Sequence, residues 1–190
     1  MSAYGGDMPL YRLGSLSAVP ASRRPDLLAP AARDAIRAVG LEDRTGVVEI
    51  DPDISDTAAS QESFGLPWDV FANCVIVSGR REGVEKIAAC VVLADSRADI
   101  NSTIKRLLDV RKASFVSRDT ATNSTGMEYG GITPVGLPSA WPIYADARVI
   151  QKELIVLGSG IRASKILIPG DLLPAIAGVQ AIEGLGILSI

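Results

Sequence analysis

Two apolar runs rich in β-branched residues constrain the fold more than any other feature of this 190-residue chain. The runs NCVIVSG and KIAACVVLA follow each other across the charged, turn-prone stretch SGRREGVE. Short runs of this kind joined by a turn predict an antiparallel pair of strands. Because both runs are almost continuously hydrophobic, we expect other elements to cover both faces of the sheet.

Helices and further strands follow in no regular alternation. Apolar residues spaced three and four apart predict one helix over residues 27–39, before Gly40, and another over 95–110. Capping residues and glycine stops predict shorter helices at 55–64 and 118–125. Further short strands are predicted at 45–51, 112–117, 141–146, 153–160, 164–170 and 179–184. This mixture predicts the α+β class, with a mixed, largely antiparallel sheet packed against helices.

The length fits one domain with an N-terminal extension. Residues 1–24 are rich in Gly, Ser, Ala and Pro and are predicted to be that extension, and residues 25–190 are predicted to be a single domain. The start lacks the basic and apolar regions of a signal peptide, and no apolar run approaches the roughly 20 residues that span a bilayer. We therefore expect a soluble, cytoplasmic protein that does not bind membranes.

Composition removes several classes of chemistry. The chain has no histidine, which excludes imidazole bases and histidine-ligated zinc. Its two cysteines, Cys74 and Cys90, lie inside apolar runs and are predicted to be reduced core thiols. A net charge of −3 argues against general binding of duplex DNA. We expect neither a metal nor a cofactor.

The stretch TGMEYGGITPVG, residues 125–136, contains four glycines and one proline. Gly130 and Gly131 can adopt positive φ and expose their backbone N–H groups, which form an anion or hydroxyl site when they converge. Pro134 holds Thr133 in an extended conformation and stiffens the far side of this loop.

A second loop, VLGSGIRASK, has the same character. Gly158, Ser159 and Gly160 can expose backbone donors, and Arg162 adds a forked side-chain donor suited to a carboxylate or phosphate. Neither loop matches the phosphate-binding patterns G-x-x-x-x-G-K-[ST] or G-x-G-x-x-G. From the residues alone, tight structural turns remain the alternative to a binding site.

The order of these motifs resembles the YbaK/prolyl-tRNA-synthetase-associated domain family, which contains aminoacyl-tRNA deacylases and editing domains. The family motif stands at residues 130–136 as GGITPVG, and PIYAD and residues 158–173 match the strand, hairpin and P-x-D-L that follow it. The resemblance covers about residues 55–180. It implies a partly closed sheet surrounded by helices, and hydrolysis of the ester between a mischarged amino acid and the terminal adenosine of tRNA.

The resemblance also implies roles for residues. Because the family relies on backbone amides, the absence of histidine is no objection to catalysis. Amides and hydroxyls expected to act in catalysis belong to Gly131, Thr133, Ser159 and Gly160. Residues expected to bind the substrate are Asn73, Lys112, Tyr129, Gly130, Pro134, Gly136, Gly158 and Arg162.

One residue departs from the family pattern. The lysine that the family carries on a central strand corresponds to Asn73, in VFANCVIV. An asparagine NH₂ offers a dipole where an ammonium offers a full charge. Lys112, Arg162 or Lys165 could supply the missing cation.

Three functions follow from these observations. The first is a deacylase that clears mischarged tRNA in trans, with the aminoacylated 3′ end of tRNA as a partner and an aminoacyl-tRNA synthetase as a second candidate partner. The second is a catalytically weak or inactive relative that binds or regulates tRNA ends or a small aminoacyl or nucleoside ligand. The third is an unrelated α+β domain whose glycine loops are only turns.

Overall fold

The computed structural model describes residues 8–176 and 178–189. Its first half contains β1 (Tyr11–Leu13), β2 (Leu16–Pro20), α1 (Pro30–Ala38), β3 (Gly46–Glu49), α2 (Thr57–Phe64), β4 (Ala72–Arg81), β5 (Val84–Leu93) and β6 (Ser96–Ala98). Its second half contains α3 (Lys105–Leu107), β7 (Ala113–Phe115), α4 (Arg118–Thr125), β8 (Ile143–Asp146), α5 (Ala147–Ile150), β9 (Ile155–Gly158), β10 (Ser164–Ile168), β11 (Val179–Ile182) and β12 (Gly186–Leu188). Short 3₁₀ turns lie at Pro25–Leu27, Pro52–Ile54, Trp68–Val70 and Gly170–Ala175, and a π-helical turn, Ile100–Ile104, leads into α3.

The strands form two five-stranded sheets and one small pair. The first sheet has the order β1-β2-β3-β10-β9, the second β11-β8-β5-β4-β7, and β12 pairs with β6. Among the described strands, the parallel pairs are β8 with β11 and β8 with β5, so β8 has a parallel neighbour on each side. A bridge between Phe71 and Val156 joins the start of β4 to β9, so the two sheets meet there as a partly closed barrel. This confirms the predicted α+β class with a mixed, largely antiparallel sheet.

The hairpin of β4 and β5 is the central element of the second sheet. Its strands pair over their whole length, from Ala72 opposite Leu93 to Arg81 opposite Val84. The two turn residues, Glu82 and Gly83, both have positive φ, as a tight two-residue hairpin turn requires. Alternate residues of the hairpin enter separate apolar cores on the two faces of the sheet, which confirms the prediction that both faces are covered.

The described part of the predicted extension contributes strands. Residues 1–7 lie outside the described part of the chain, whereas β1 and β2 pair with each other and β2 continues the first sheet beside β3. Leu16 and Ala18 are buried in a core that also contains Phe71 and Leu167. These strands therefore pack into the same sheet as β10.

The predicted helix over 95–110 begins later than its apolar pattern suggested. Residues 96–98 form β6, which pairs with β12, and neither strand was predicted. Asp99 then accepts hydrogen bonds from the backbone N–H groups of Ser102 and Thr103, and the helical segment starts there. Among the residues that the structure describes, no helix has the length and hydrophobicity needed to cross a membrane.

The loop that ends at Gly136 packs directly on helix α1. A Cβ on Gly136 would overlap the carbonyl oxygen of Ala31 and the backbone nitrogen of Ala32, and its φ is +81°. Glycine is required here because helix backbone approaches loop backbone without space for a side chain.

Replacing Gly136 tests this close approach, and Gly83 provides a matched control. Gly83 has the same φ of +81° but no atom within 4 Å of a built Cβ. We expect Gly83→Ala to lower the free energy of unfolding by about 1 kcal/mol through backbone strain. Gly136→Ala adds overpacking and should cost about 3 kcal/mol. Denaturant unfolding measures both, and equal losses in the two variants would contradict the close-approach argument.

Candidate functional site

A cleft of about 300 Å³ opens where the two sheets meet. Its walls come from the segment 55–57, the beginning of β4, the turn around Gly130, the end of β9, and Lys165 on β10. Apolar side chains of Phe71, Val156 and Leu157 form much of its surface. The site thus joins residues that lie more than 100 positions apart in the sequence.

Lys165 supplies the buried charge of this cleft. Its side chain is 5% exposed, and Nζ donates a hydrogen bond to the carbonyl oxygen of Ser55. Burial lowers the pKa of Lys165 to about 8, the nearby Asp56 carboxylate opposes this shift, and the Arg162 guanidinium adds to it. The Lys165 ammonium therefore loses its proton at a lower pH than an exposed lysine does, and it borders the cleft.

Asn73 lies at the start of β4 on the same cleft. Its Oδ1 accepts a hydrogen bond of 2.7 Å from Thr57 Oγ1. This bond fixes the amide so that its NH₂ group remains available, and no acceptor for that group is found among residues 8–176 and 178–189. Asn73 thus lines the cleft with an amide that its bond to Thr57 holds in position.

Three consecutive residues organise this end of the cleft. Ser55 holds Lys165 through its carbonyl, Asp56 caps helix α2 by accepting from Ala59 N at 3.0 Å, and Thr57 holds Asn73. The sequence predicted a capped helix at 55–64, and its cap is Asp56. The contacts of its two neighbours were missed because their partners are distant in sequence.

The two glycine loops touch each other beside the cleft. Gly160 N donates to the carbonyl oxygen of Gly131 at 2.7 Å, and Glu128 N donates to the carbonyl oxygen of Gly160 at 2.9 Å. A Cβ on Gly158 would overlap the carbonyl oxygens of Gly131 and Ile132. Glycine at these positions therefore allows the backbones of the two loops to pack directly against each other.

Hydrogen bonding separates the loop amides into occupied and available donors. Gly131 N donates to the carbonyl oxygen of Glu128 and Gly160 N to Gly131, so neither N–H is open to a ligand. Gly130, at φ +88°, lines the cleft, and its N–H donates to no acceptor in the described part of the chain. Tyr129 also lines the cleft, half exposed, with the Arg118 guanidinium 4.3 Å from the centre of its ring.

The two predicted hydroxyls are sequestered. Thr133 and Ser159 are fully buried and do not line the cleft. Ser159 Oγ bonds to Ser164 Oγ at 2.7 Å and to the carbonyl oxygen of Ile161 at 3.1 Å, and Thr133 Oγ1 accepts from Val135 N at 3.5 Å. Both side chains are thus occupied in holding their own turns.

Pro134 and Gly136 also lie away from the cleft. They line a separate apolar groove against helix α1, together with Trp141. Their part of the glycine–proline motif positions the loop on the helix, while Tyr129 and Gly130 line the cleft.

The two other candidate cations are placed differently. Arg162 clamps the turn from the side, with Nη1 donating to the carbonyl oxygen of Tyr129 at 3.1 Å and Nη2 to that of Pro52 at 2.8 Å. Lys112 is exposed and lies beside Gly79 on β4. Gly79 is six residues along this strand from Asn73, so the two positions are roughly 20 Å apart at the spacing of a β-strand. Of Lys112, Arg162 and Lys165, only Lys165 lines the cleft.

Comparisons with known proteins agree with this architecture. The model of the aminoacyl-tRNA editing domain family matches residues 51–175. The hypothetical protein APE2540 superposes with a TM-score of 0.70 at 21% identity, over 83% of this chain and 99% of that chain. A "putative trans-editing enzyme for prolyl tRNA synthetase" superposes with a TM-score of 0.67 at 20% identity, over 82% of this chain and 97% of that chain. No curated protein matches the chain.

The matched range contains every residue that lines the cleft, as well as both glycine loops. It also covers most of the second sheet and the strands β9 and β10 of the first. The resemblance to YbaK-like proteins, which rested on the glycine–proline motif, is thereby confirmed: the chain belongs to the aminoacyl-tRNA editing domain family.

Proposed function

We propose that this protein is an aminoacyl-tRNA deacylase that acts in trans and hydrolyses the ester between a mischarged amino acid and the terminal ribose of tRNA. Family membership and the structural similarity to a trans-editing protein support this function. The observation that carries it is the cleft, which is lined by a residue with a buried ammonium, a residue with a held amide and a residue with an unoccupied backbone N–H. Esters need such donors because their carbonyl oxygen becomes an anion during hydrolysis.

The reaction assigns a task to each donor. Water attacks the ester carbonyl carbon, and the carbonyl oxygen gains the negative charge of a tetrahedral intermediate. Lys165 Nζ and the N–H of Gly130 stabilise that oxygen, while the NH₂ of Asn73 holds a ribose oxygen. The C–O bond to the ribose then breaks, and the proton released by the water passes to the leaving ribose oxygen. The products are the free amino acid and a tRNA with free terminal hydroxyl groups.

In this mechanism the oxyanion is bound by residues other than the four that the sequence analysis expected to act in catalysis. The N–H groups of Gly131 and Gly160 are already bonded to backbone carbonyls, and the hydroxyls of Thr133 and Ser159 are internal. Gly130 and Lys165 line the cleft, and each has a donor that can bind a substrate without breaking a bond between the loops. The glycine loops therefore serve mainly to place Gly130.

Removing the ammonium tests the assignment directly. Lys165→Met should lower kcat/KM for a hydrolysed aminoacyl-tRNA roughly 100-fold to 1000-fold, because one charged donor to the oxyanion is lost. Lys152→Met is the matched control, since Lys152 is ion-paired with Asp69 in a different cleft and its loss should leave kcat/KM unchanged. Single-turnover release of labelled amino acid measures both variants. Equal activity of Lys165→Met and the unmodified protein would remove Lys165 from the mechanism.

The charge on Lys165 predicts the pH dependence of the reaction. The pKa of Lys165 is about 8, so its ammonium form dominates below that pH and is lost above it. The enzymatic kcat/KM should therefore be level at neutral pH and fall as the pH rises through about 8. Rates are measured after subtraction of buffer hydrolysis, which itself rises with pH. A rate that increases through the same range would mean that neutral Lys165 acts as a base.

A non-catalytic binding protein is the second candidate function, and Asn73 is the observation that favours it. A neutral amide occupies the strand position at which the family resemblance implies an ammonium. Such a protein would hold the end of an aminoacyl-tRNA without hydrolysing it.

Asn73→Lys distinguishes the two functions. Because Lys165 already places one cation in the cleft, a second ammonium would be repelled and would lower the pKa of both groups. We expect Asn73→Lys to hydrolyse no faster than the unmodified protein, in single-turnover assays across a panel of mischarged tRNAs. Hydrolysis that appears only in this variant would show that the natural protein is a binder.

A further inference from the structure

One end of the cleft carries hydrogen-bond donors and a carboxylate close together. Lys165 Nζ and the NH₂ of Asn73 are the donors. Asp56, whose two sequence neighbours bond to Lys165 and Asn73, is the only carboxylate among the described residues that line the cleft. An acceptor group and a cationic group of one ligand could therefore bind at the same time.

Asp56 has unused binding capacity. Its Oδ1 accepts the capping hydrogen bond from Ala59 N, and its carboxylate forms no ion pair with any lysine or arginine among residues 8–176 and 178–189. It is close enough to Lys165 to raise the pKa of that ammonium against the effect of burial. The other nearby acid, Glu128, is engaged, because its Oε2 accepts from Arg162 N at 2.6 Å.

We propose that the cleft selects aminoacyl esters with a free α-ammonium group, which binds Asp56 while the ester oxygens bind Lys165 and Asn73. This inference rests on the proposed function for the identity of the ligand as an aminoacyl ester of adenosine. It assigns Asp56 as a specificity-determining residue. Esters whose α-amino group is acylated, as in a peptidyl or formylated aminoacyl group, are excluded.

The polarity of the cleft gives the physical reason. In an aminoacyl ester the ammonium and the carbonyl oxygen are attached to adjacent carbons, so both reach a site that spans only a few bonds. An ammonium that met Lys165 alone would be repelled by that charge, whereas the Asp56 carboxylate attracts it. Acylation removes the positive charge and leaves Asp56 facing a neutral amide, with the added acyl group crowding the rim.

The substitution Asp56→Asn removes the negative charge of this side chain but keeps its role as a helix cap. Asparagine caps helices about as well as aspartate, so the side-chain oxygen still accepts from Ala59 N while the negative charge is lost. Asp51→Asn is the matched control. Asp51 caps the 3₁₀ turn Pro52–Ile54 by accepting from Asp53 N at 2.9 Å, and it does not line the cleft.

The test uses calorimetric binding of two stable analogues to the full chain. These are 3′-alanylamino-3′-deoxyadenosine and its N-acetyl derivative, whose amide link replaces the ester. At about pH 6.5 the free α-amino group is charged. The unmodified protein and Asp51→Asn should bind the free-amine analogue about tenfold tighter than the acetylated one. In Asp56→Asn the affinities should come within about twofold of each other, mainly by loss of affinity for the free amine.

Each outcome decides the inference. Equal affinities in the unmodified protein, preserved discrimination in Asp56→Asn, or no binding of either analogue would overturn it. The proposed function fails separately, if no mischarged tRNA is hydrolysed by the same preparation. Discrimination without hydrolysis would keep the selectivity of the cleft and make the protein a binder of free-amine aminoacyl ends.

Discussion

The buried ammonium of Lys165 is the interaction on which the organisation of the site depends. A charge that is almost fully removed from water is costly unless nearby dipoles and opposite charges compensate for it. Here the compensation comes from the carbonyl oxygen of Ser55 and the field of Asp56, both at the start of helix α2. The start of a helix in the first third of the sequence is thus tied to strand β10, more than 100 residues later. The same turn then sets the positions of Asp56 and Thr57 on the cleft.

The glycines next to this site have a different purpose from the one their pattern suggests. A glycine-rich loop invites the interpretation that a ligand approaches the backbone. In this fold the approaching groups are mostly other parts of the chain: Ile161 against Gly131, Ala29 against Gly160, and helix α1 against Gly136. Of the glycines in these two loops, Gly130 and Gly158 also border the cleft. Close backbone packing positions the turn, and the N–H of Gly130 is then left without an acceptor among the described residues.

The sequence predicted what depends on local patterns. The β4–β5 hairpin, helix α1 and the mixed, largely antiparallel α+β class followed from apolar spacing and turn residues. Strands β6 and β12 are three residues long, and β1 and β2 lie in a stretch whose composition is typical of a tail, so no periodicity indicated them. Their pairing is set by partners elsewhere in the chain, which a local pattern does not reveal.

The candidate site was likewise predicted only in part, because some of its residues are brought together by contacts between distant parts of the sequence. Tyr129, Gly130, Gly158 and Asn73 were expected at the cleft and line it, whereas Lys112, Pro134 and Gly136 lie elsewhere. Hydroxyls such as Thr133 and Ser159 satisfy their own turns, and the sequence does not distinguish that use from catalysis.

A signal for Lys165 was nevertheless present in the run SKILIPG, where one lysine interrupts an otherwise apolar strand. A buried strand tolerates such a residue only where its charge is compensated. The same reasoning changes the meaning of Asn73. With one cation already supplied by β10, a neutral donor on β4 avoids placing two like charges in a cleft of about 300 Å³. Under the proposed function the asparagine and the lysine are complementary parts of one site, so the amide at position 73 is compatible with deacylation as well as with binding alone.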